Sequence, residues 1–370
     1  MHADTLNHSE TTVIVPCAGL SSRYGDGPPK WMRTAPDGRP MVVKALSGIE
    51  GLTDVVITVL SEHDAKWDIS KGMYDAFNDY LPDVELRLRV LPARTITQSQ
   101  SDTVLQTIVS LDIRGRILIK DSDGAFDLGL YPPPTMGNYV CTADLTHFGS
   151  INARNKSYCV LGDQGRIDAI HEKKIVGTTF SVGGYCFESA HDFVKYAGKL
   201  INGFPDGEVY VSHVIMAMIA DGHTFHSVPV TGYQDWGTGK DWSRYCGGFK
   251  TFFIDIDGVL MWNAGRYFKP RRAGSVPIEE NIALVNRLVS EGNKVILTTA
   301  RPESERNMTC RQLLAAGLKY DQLVMGTLHA GRVLINDFAP TNAHPSAEAI
   351  NLPRDANLEP YLKRYFKDHT

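Results

Sequence analysis

The run Phe252-Phe253-Ile254-Asp255-Ile256-Asp257-Gly258-Val259-Leu260 narrows what this chain can fold into more than any other stretch. Its apolar start reads as a buried strand. Two carboxylates follow at i and i+2, and a glycine ends the run. Period two puts Asp255 and Asp257 on the same side of a strand end. Carboxylates that close repel each other unless a cation or a shared proton lies between them. The run therefore predicts a metal and acid–base site at the mouth of a sheet. It begins only after a complete α/β pattern with a phosphate-type loop of its own. The chain reads as two α/β domains in one polypeptide.

Length agrees, since 370 residues exceed what one core usually supports. A net charge of −4 leaves no basic footprint, which excludes nucleic acid as the expected partner. No apolar run approaches the roughly 20 residues that a membrane span needs. The first residues are polar and acidic, unlike a signal peptide. The six cysteines are scattered and form no C-x-x-C pair, as expected of free thiols in a reducing cytoplasm.

Residues 1–11 read as a disordered tail. Strands are expected at Val13–Val15, Val55–Leu60, Leu86–Leu91 and Arg116–Lys120. They alternate with helices at Pro40–Leu46, Lys66–Tyr80 and Asp102–Leu111, the rhythm of a mostly parallel sheet. The middle is richer in strands: Tyr139–Asp144, Tyr158–Leu161, Ile167–Ile170, Thr179–Phe187 and Thr224–Val230, with helices at His191–Leu200 and Val209–Asp221. Glycines around 239–249 suggest a linker between domains at 12–238 and 250–370. The second domain shows strands Thr251–Ile256, Lys294–Thr298 and Arg332–Ile335 and helices Pro277–Glu291 and Glu303–Ala316.

After the first strand comes Ala18-Gly19-Leu20-Ser21-Ser22-Arg23-Tyr24-Gly25, then Pro29-Lys30. A small-residue loop after a parallel strand lets backbone N–H groups approach phosphates, and Arg23 and Lys30 supply cations. This pattern resembles the sugar-phosphate nucleotidyltransferases, which have a Rossmann-like mixed sheet. The resemblance covers residues 12–240. It implies that Ala18, Gly19, Ser21, Ser22, Arg23 and Lys30 bind a nucleoside triphosphate, with Arg23 and Lys30 neutralising the departing pyrophosphate. Gln100 and Ser101 fall in a segment like the family's Q-x-E-T, though Ser101 or Asp102 equally suits a helix cap. Magnesium carboxylates are implied at Asp123, preferred over Asp121, and at Asp235 in Gln234-Asp235-Trp236-Gly237-Thr238. Lys173, Gly184 and Glu208 match positions that contact the sugar phosphate.

The second domain resembles the haloacid dehalogenase phosphohydrolases. That resemblance implies Asp255 as nucleophile, Asp257 as general acid/base, Thr299 as holder of the phosphoryl oxygens, and Asp337 with Asp255 and Asp257 around a second magnesium. Two departures stand out. Thr327 occupies the place of the family's lysine, for which Lys319 or Arg332 would substitute. The late acidic pair is Asn336-Asp337 rather than two aspartates. The short spacings leave no room for an inserted cap, so another part of the chain or a second copy would have to roof the site.

The expected whole is a cytoplasmic, magnesium-dependent bifunctional enzyme of the bacterial capsule or surface-glycan type. It would join a nucleoside monophosphate from a triphosphate to a sugar phosphate and hydrolyse a related phosphomonoester. Homo-oligomerisation is left open. The alternative is a nucleotidyltransferase whose second domain is an inactive interaction module.

Overall fold

Val13-Ile14-Val15 and the apolar runs after it are buried on both faces, which only a sheet covered on two sides permits. The computed structural model describes residues 11–19, 27–130, 137–148, 151–204, 207–268, 271–337 and 346–366. The chain separates into two units, Met1–Ser243 and Arg244–Thr370.

In chain order the first unit begins with β1 (Thr12–Cys17), α1 (Met41–Leu46), β2 (Ile49–Glu50), β3 (Asp54–Leu60), α2 (Ser61–Trp67), α3 (Ile69–Tyr80), β4 (Glu85–Leu91), α4 (Gln100–Leu111) and β5 (Ile117–Lys120). It continues with β6 (Gly124–Asp127), β7 (Gly129–Leu130), β8 (Asn138–Asp144), β9 (Ser157–Leu161), β10 (Ile167–Glu172), β11 (Thr179–Phe187), α5 (Ala190–Gly203), α6 (Val211–Ala220), β12 (Phe225–Pro229) and β13 (Thr231–Asp235). Helix α7 (Gly239–Gly247) spans the division between units.

Strands β5, β1, β3 and β4 lie side by side and parallel. Strand β11 runs antiparallel to β5 and carries β8 and β9, so the sheet turns mixed beyond β5. The result is a mixed α/β fold on a large Rossmann-like sheet. One face packs under α1 and α3 through Val42, Leu46, Met73 and Phe77. The other packs under α4, α5 and α6 through Val104, Ile108, Phe193 and Ile215. Carboxyl ends of the parallel strands open on one edge, the usual ligand crevice of such sheets.

The second unit holds β14 (Thr251–Asp255), α8 (Glu279–Ser290), β15 (Lys294–Thr298), α9 (Arg306–Ala315), β16 (Gln322–Val324) and α10 (Glu359–Leu362). Its three strands are parallel in the order β14-β15-β16. A core of Ile254, Ile256, Leu260, Val285, Leu288, Val295 and Leu297 lies beneath them.

Three expectations are corrected. The helix expected over Lys66–Tyr80 breaks at Asp68, whose φ of 49° ends α2 and starts α3. The linker expected at 239–249 contains the division between the units, but it is largely helix α7 rather than irregular chain. Thr238 caps it, its Oγ1 bonding both the N–H of Asp241 (3.3 Å) and the Asp241 carboxylate (2.5 Å). Trp242 is buried edge-on against Trp236, with ring centroids 5.2 Å apart. Arg332–Ile335 is not a strand. Val333 and Ile335 are 86% and 88% exposed, and Gln322–Val324 takes the third position of the small sheet instead. Both runs are short and apolar, and alternation alone does not say which one pairs.

Candidate active site

The first site is built on the turn that follows β5. Lys120 is fully buried at the strand end, where its Nζ donates to the carbonyls of Asp121 and Gly124, both at 2.7 Å. Burial pushes its pKa down to about 8. This internal cation pins the turn Asp121-Ser122-Asp123 from below. Strand β6 then pairs antiparallel with β13, placing Asp235 opposite Gly124, and the N–H of Trp236 donates to the Asp123 carbonyl at 2.8 Å. Residues more than 100 positions apart thus meet. A Cβ on Gly237 would sit 3.2 Å from Asp235 Oδ1 and 3.8 Å from Asp123 Oδ2, so the two carboxylates bracket that glycine.

Each carboxylate has its own lysine. Lys30 Nζ is 2.5 Å from Asp123 Oδ2, and Lys156 Nζ is 2.6 Å from Asp235 Oδ2. Lys156 also donates to Tyr233 Oη at 2.7 Å. Trp31, the next residue, anchors this part of the chain: its ring is buried and its Nε1 donates to the Cys17 carbonyl at 3.1 Å. Burial alone would raise the Asp123 pKa, but Lys30, Lys156 and Lys120 outweigh it and hold the carboxyl well below its ordinary value. Asp121 goes the other way, raised by burial and by the charge of Asp123. Gln100 donates to Asp121, and Asp121 N donates to the Gly183 carbonyl at 2.8 Å. Of the two, Asp123 is the carboxyl held ionised beside Lys30, while Asp121 is tied by its side chain to Gln100.

Two cavities meet at these residues. One of about 450 Å³ is lined by Ala18, Gly19, Lys30 and Thr97–Gln100. The other, about 500 Å³, is lined by Asn152, Asn155, Lys156, Glu172, Lys173 and Ser181. Gln100, Asp121, Asp123, Glu208, Tyr210 and Gly237 belong to both. Tyr210 links the two expected residues Lys173 and Glu208, accepting from the first and donating to the second. Lys173 holds a left-handed φ of 53°, and Glu172 accepts from Ser157 and Ser212 hydroxyls at 2.5 and 2.6 Å.

Not every expected residue arrives. Ser21, Ser22 and Arg23 lie outside the described residues. Ser101 is fully buried inside α4 and lines neither cavity, while Ser99 provides the helix cap. Gly184 faces Cys141 and Phe126 in the sheet. Its neighbour Gly183, with φ 84°, is the one that lines the cavity. Lys156, Lys120, Tyr233 and Tyr210 were not among the expected site residues. Lys120 left one signal, a lysine ending an otherwise apolar strand.

In the second unit, Asp255, Asp257 and Thr299 line one cavity of about 730 Å³. Asp255 ends β14 opposite Thr298, and the Thr299 hydroxyl accepts from the N–H of Arg301 at 3.1 Å. Burial raises the Asp255 pKa, partly offset by Arg332, whose Nη2 is 3.0 Å from Asp255 Oδ1. Of the two cations named as substitutes at Thr327, Arg332 reaches Asp255, while Lys319 bonds Asn286 through its backbone. Arg301, missed by sequence reasoning, is wholly buried and grips Asp257 with two bonds of 2.8 and 2.6 Å. Asp337 sits exposed on the irregular segment that replaces the expected strand and does not line the cavity. Among the described residues, no strand there aims its carboxylate at Asp255.

Two carboxylates at each site suit magnesium, which takes its remaining ligands from phosphate oxygens and water. Among the described residues no group of three His, Cys, Asp or Glu side chains gathers at either site. No helix among them is long and apolar enough to cross a membrane.

No protein-family model matches this chain, and no curated protein does. Solved structures do. A nucleoside-diphosphate-sugar pyrophosphorylase from Vibrio cholerae RC9 superimposes with a TM-score of 0.53 at 17% identity, over 64% of this chain and 99% of that one. The inositol-1-phosphate CTP transferase from T. maritima gives a TM-score of 0.47 at 14% identity, over 63% and 92%. At these identities the first likeness is one of fold.

Proposed function

We propose that residues 12–238 transfer a nucleoside monophosphate from a triphosphate to a sugar phosphate or similar phosphate, releasing pyrophosphate. One observation carries this reading: two polar cavities share a wall that holds Asp123 and Gly237, with Asp235 beside that wall in the second cavity. A two-substrate transfer needs such a meeting point. The triphosphate would occupy the cavity of Ala18, Gly19 and Lys30, with Arg23 in the same loop. The acceptor would occupy the cavity of Lys156, Lys173 and Glu172. Asp123 and Asp235 would hold magnesium, which supplies charge neutralisation at the α-phosphate. An acceptor phosphate oxygen attacks the α-phosphorus and the bond to the β-phosphate oxygen breaks. Lys30 and Lys156, turning from their carboxylates to phosphate oxygens, stabilise the charge that develops. No protein nucleophile is required. The name of the Vibrio cholerae neighbour agrees with this chemistry.

The second domain, residues 250–370, we read as a phosphomonoesterase. Asp255 attacks phosphorus to form an acyl-phosphate, and Asp257 gives the leaving alkoxide its proton. Water then cleaves the acyl-phosphate to inorganic phosphate and restores Asp255. Asp255 and Asp257 would hold the magnesium. Joined activities of this kind suit consecutive steps of a sugar-nucleotide pathway, such as one feeding capsule or surface glycan.

A second reading has its own support. Arg301 already occupies both oxygens of Asp257, and Asp337 lies off the cavity. A domain so arranged would bind without turnover. Asp255→Asn in the full chain separates the two readings. Phosphate release by wild type and its loss in the variant, with nucleotidyl transfer kept, supports the esterase. Absence of release from both, across sugar monophosphates and bisphosphates, supports the binding module.

A further inference from the structure

The second unit's cavity carries more positive charge than one phosphate needs. Its walls include Arg266, Arg272, Arg332 and Arg354 besides Asp255 and Asp257. Arg332 is engaged with Asp255. Arg266 and Arg272 share a single carboxylate, Glu305, at 3.3 and 3.0 Å, so one anion balances two guanidinium groups. Arg354 makes no ion pair among the described residues.

Arg354 is also held in place by a built scaffold. The next residue, Asp355, has a φ of 62°, a left-handed conformation that non-glycine residues seldom adopt. Its N–H donates to the Gly258 carbonyl at 2.8 Å, and its Oδ1 accepts from the N–H of Asn263 at 2.8 Å. Gly258 has a φ of 88°, and a Cβ there would lie 3.0 Å from Arg354 Cγ. The Asp-Ile-Asp-Gly turn thus keeps its glycine where the arginine stem crosses, about 95 positions later in the chain. A strained anchor on a reactive turn, carrying an uncompensated cation into a cavity of about 730 Å³, is more than packing requires.

We infer that the phosphomonoester taken by this site carries a second anionic group, a carboxylate or a further phosphate, gripped by Arg354 together with the Arg266–Arg272 pair. A planar guanidinium fork matches either anion. This inference rests on the esterase reading above and adds the substrate class to it.

Three probes of similar length test it on the full chain: glycerol 3-phosphate, 3-phosphoglycerate and 2,3-bisphosphoglycerate. The second and third add a carboxylate, and a carboxylate with a phosphate. The expected kcat/KM for phosphate release is about tenfold or more higher for the two that carry extra anions, mostly through KM. Arg354→Gln should shrink that ratio to within about twofold of unity. Calorimetric binding to Asp255→Asn should show the same preference without turnover. Equal kcat/KM for all three, or an unchanged ratio in Arg354→Gln, overturns the second-anion site and leaves hydrolysis standing. No release from any probe with the binding preference intact removes hydrolysis and keeps the site. Loss of both removes both.

Discussion

Lys30 and Asp123 stand 93 positions apart in the chain, yet Nζ of one lies 2.5 Å from Oδ2 of the other. Lys156 and Asp235 repeat the arrangement at 2.6 Å. Both pairs are partly buried, where a charge without a partner is costly. The lysines therefore balance the carboxylates and hold them in position; in the proposed reaction, phosphate and metal would take over both partners.

Asp123→Asn and Asp235→Asn should each lower pyrophosphate release by about 100-fold or more, since each removes a full charge from the proposed metal site. Far-ultraviolet circular dichroism should stay unchanged, because both side chains lie at strand ends rather than in the core. Activity within about threefold of wild type would show that the pair is a structural ion-pair site.

Lys156→Met should impair nucleotidyl transfer mainly through the KM for the acceptor phosphate, with the KM for the triphosphate shifted less. The side chain lines the cavity proposed for the acceptor and not the one proposed for the triphosphate. Initial-rate kinetics with each substrate varied in turn check this. An effect confined to the triphosphate would reverse the assignment of the two cavities.

Much of the architecture could be read in advance because burial leaves a plain mark. Val13–Val15, Val55–Leu60 and Lys294–Thr298 are apolar runs flanked by turn residues, and each lies within a strand. What pairs across long separations left no such mark. Strands β6 and β13 are short and polar, and their joining is what brings Asp235 to Asp123. Lys156 belongs to no motif and becomes visible only when β9 lies beside the pair. Of the expected pair Gln100 and Ser101, Gln100 lines the cavities while Ser101 is buried, and Gly183 rather than Gly184 lines one, since one position on a helix or strand turns a side chain from cavity to core. Gly239, Gly247 and Gly248 suggested a linker, although the threonine-to-aspartate spacing of a helix cap was present at Thr238–Asp241.

Gly183→Ala should reduce nucleotidyl transfer and lower the thermal midpoint by a few degrees. Its φ of 84° disfavours any side chain, and an added Cβ would overlap the Asp121 carboxylate. The backbone term alone costs about 1 kcal/mol. Differential scanning calorimetry with parallel assays checks both effects, and an unchanged midpoint would contradict the close approach.

Arg301→Met should destabilise the second unit by about 3–5 kcal/mol, the usual loss when one partner of a buried ion pair is removed. The Arg301 side chain is fully buried, and it also donates to Thr309 at 3.2 Å and Gln312 at 2.7 Å. Urea unfolding followed in the full chain reads this, and a loss under about 1 kcal/mol would mean the pair is not structurally required. Nucleotidyl transfer should persist, because that site is formed within the first unit.

The most direct test of the central claim is product stoichiometry. The full chain is incubated with magnesium, each of four nucleoside triphosphates and a panel of sugar phosphates, and products are followed by phosphorus-31 NMR. The account predicts that one pairing gives a nucleoside diphosphate-sugar and pyrophosphate in equal amounts, that EDTA stops the reaction, and that added magnesium restores it. Asp235→Asn should give neither product at a comparable rate. Pyrophosphate with free nucleoside monophosphate and no sugar nucleotide, or equal rates in wild type and Asp235→Asn, would contradict it.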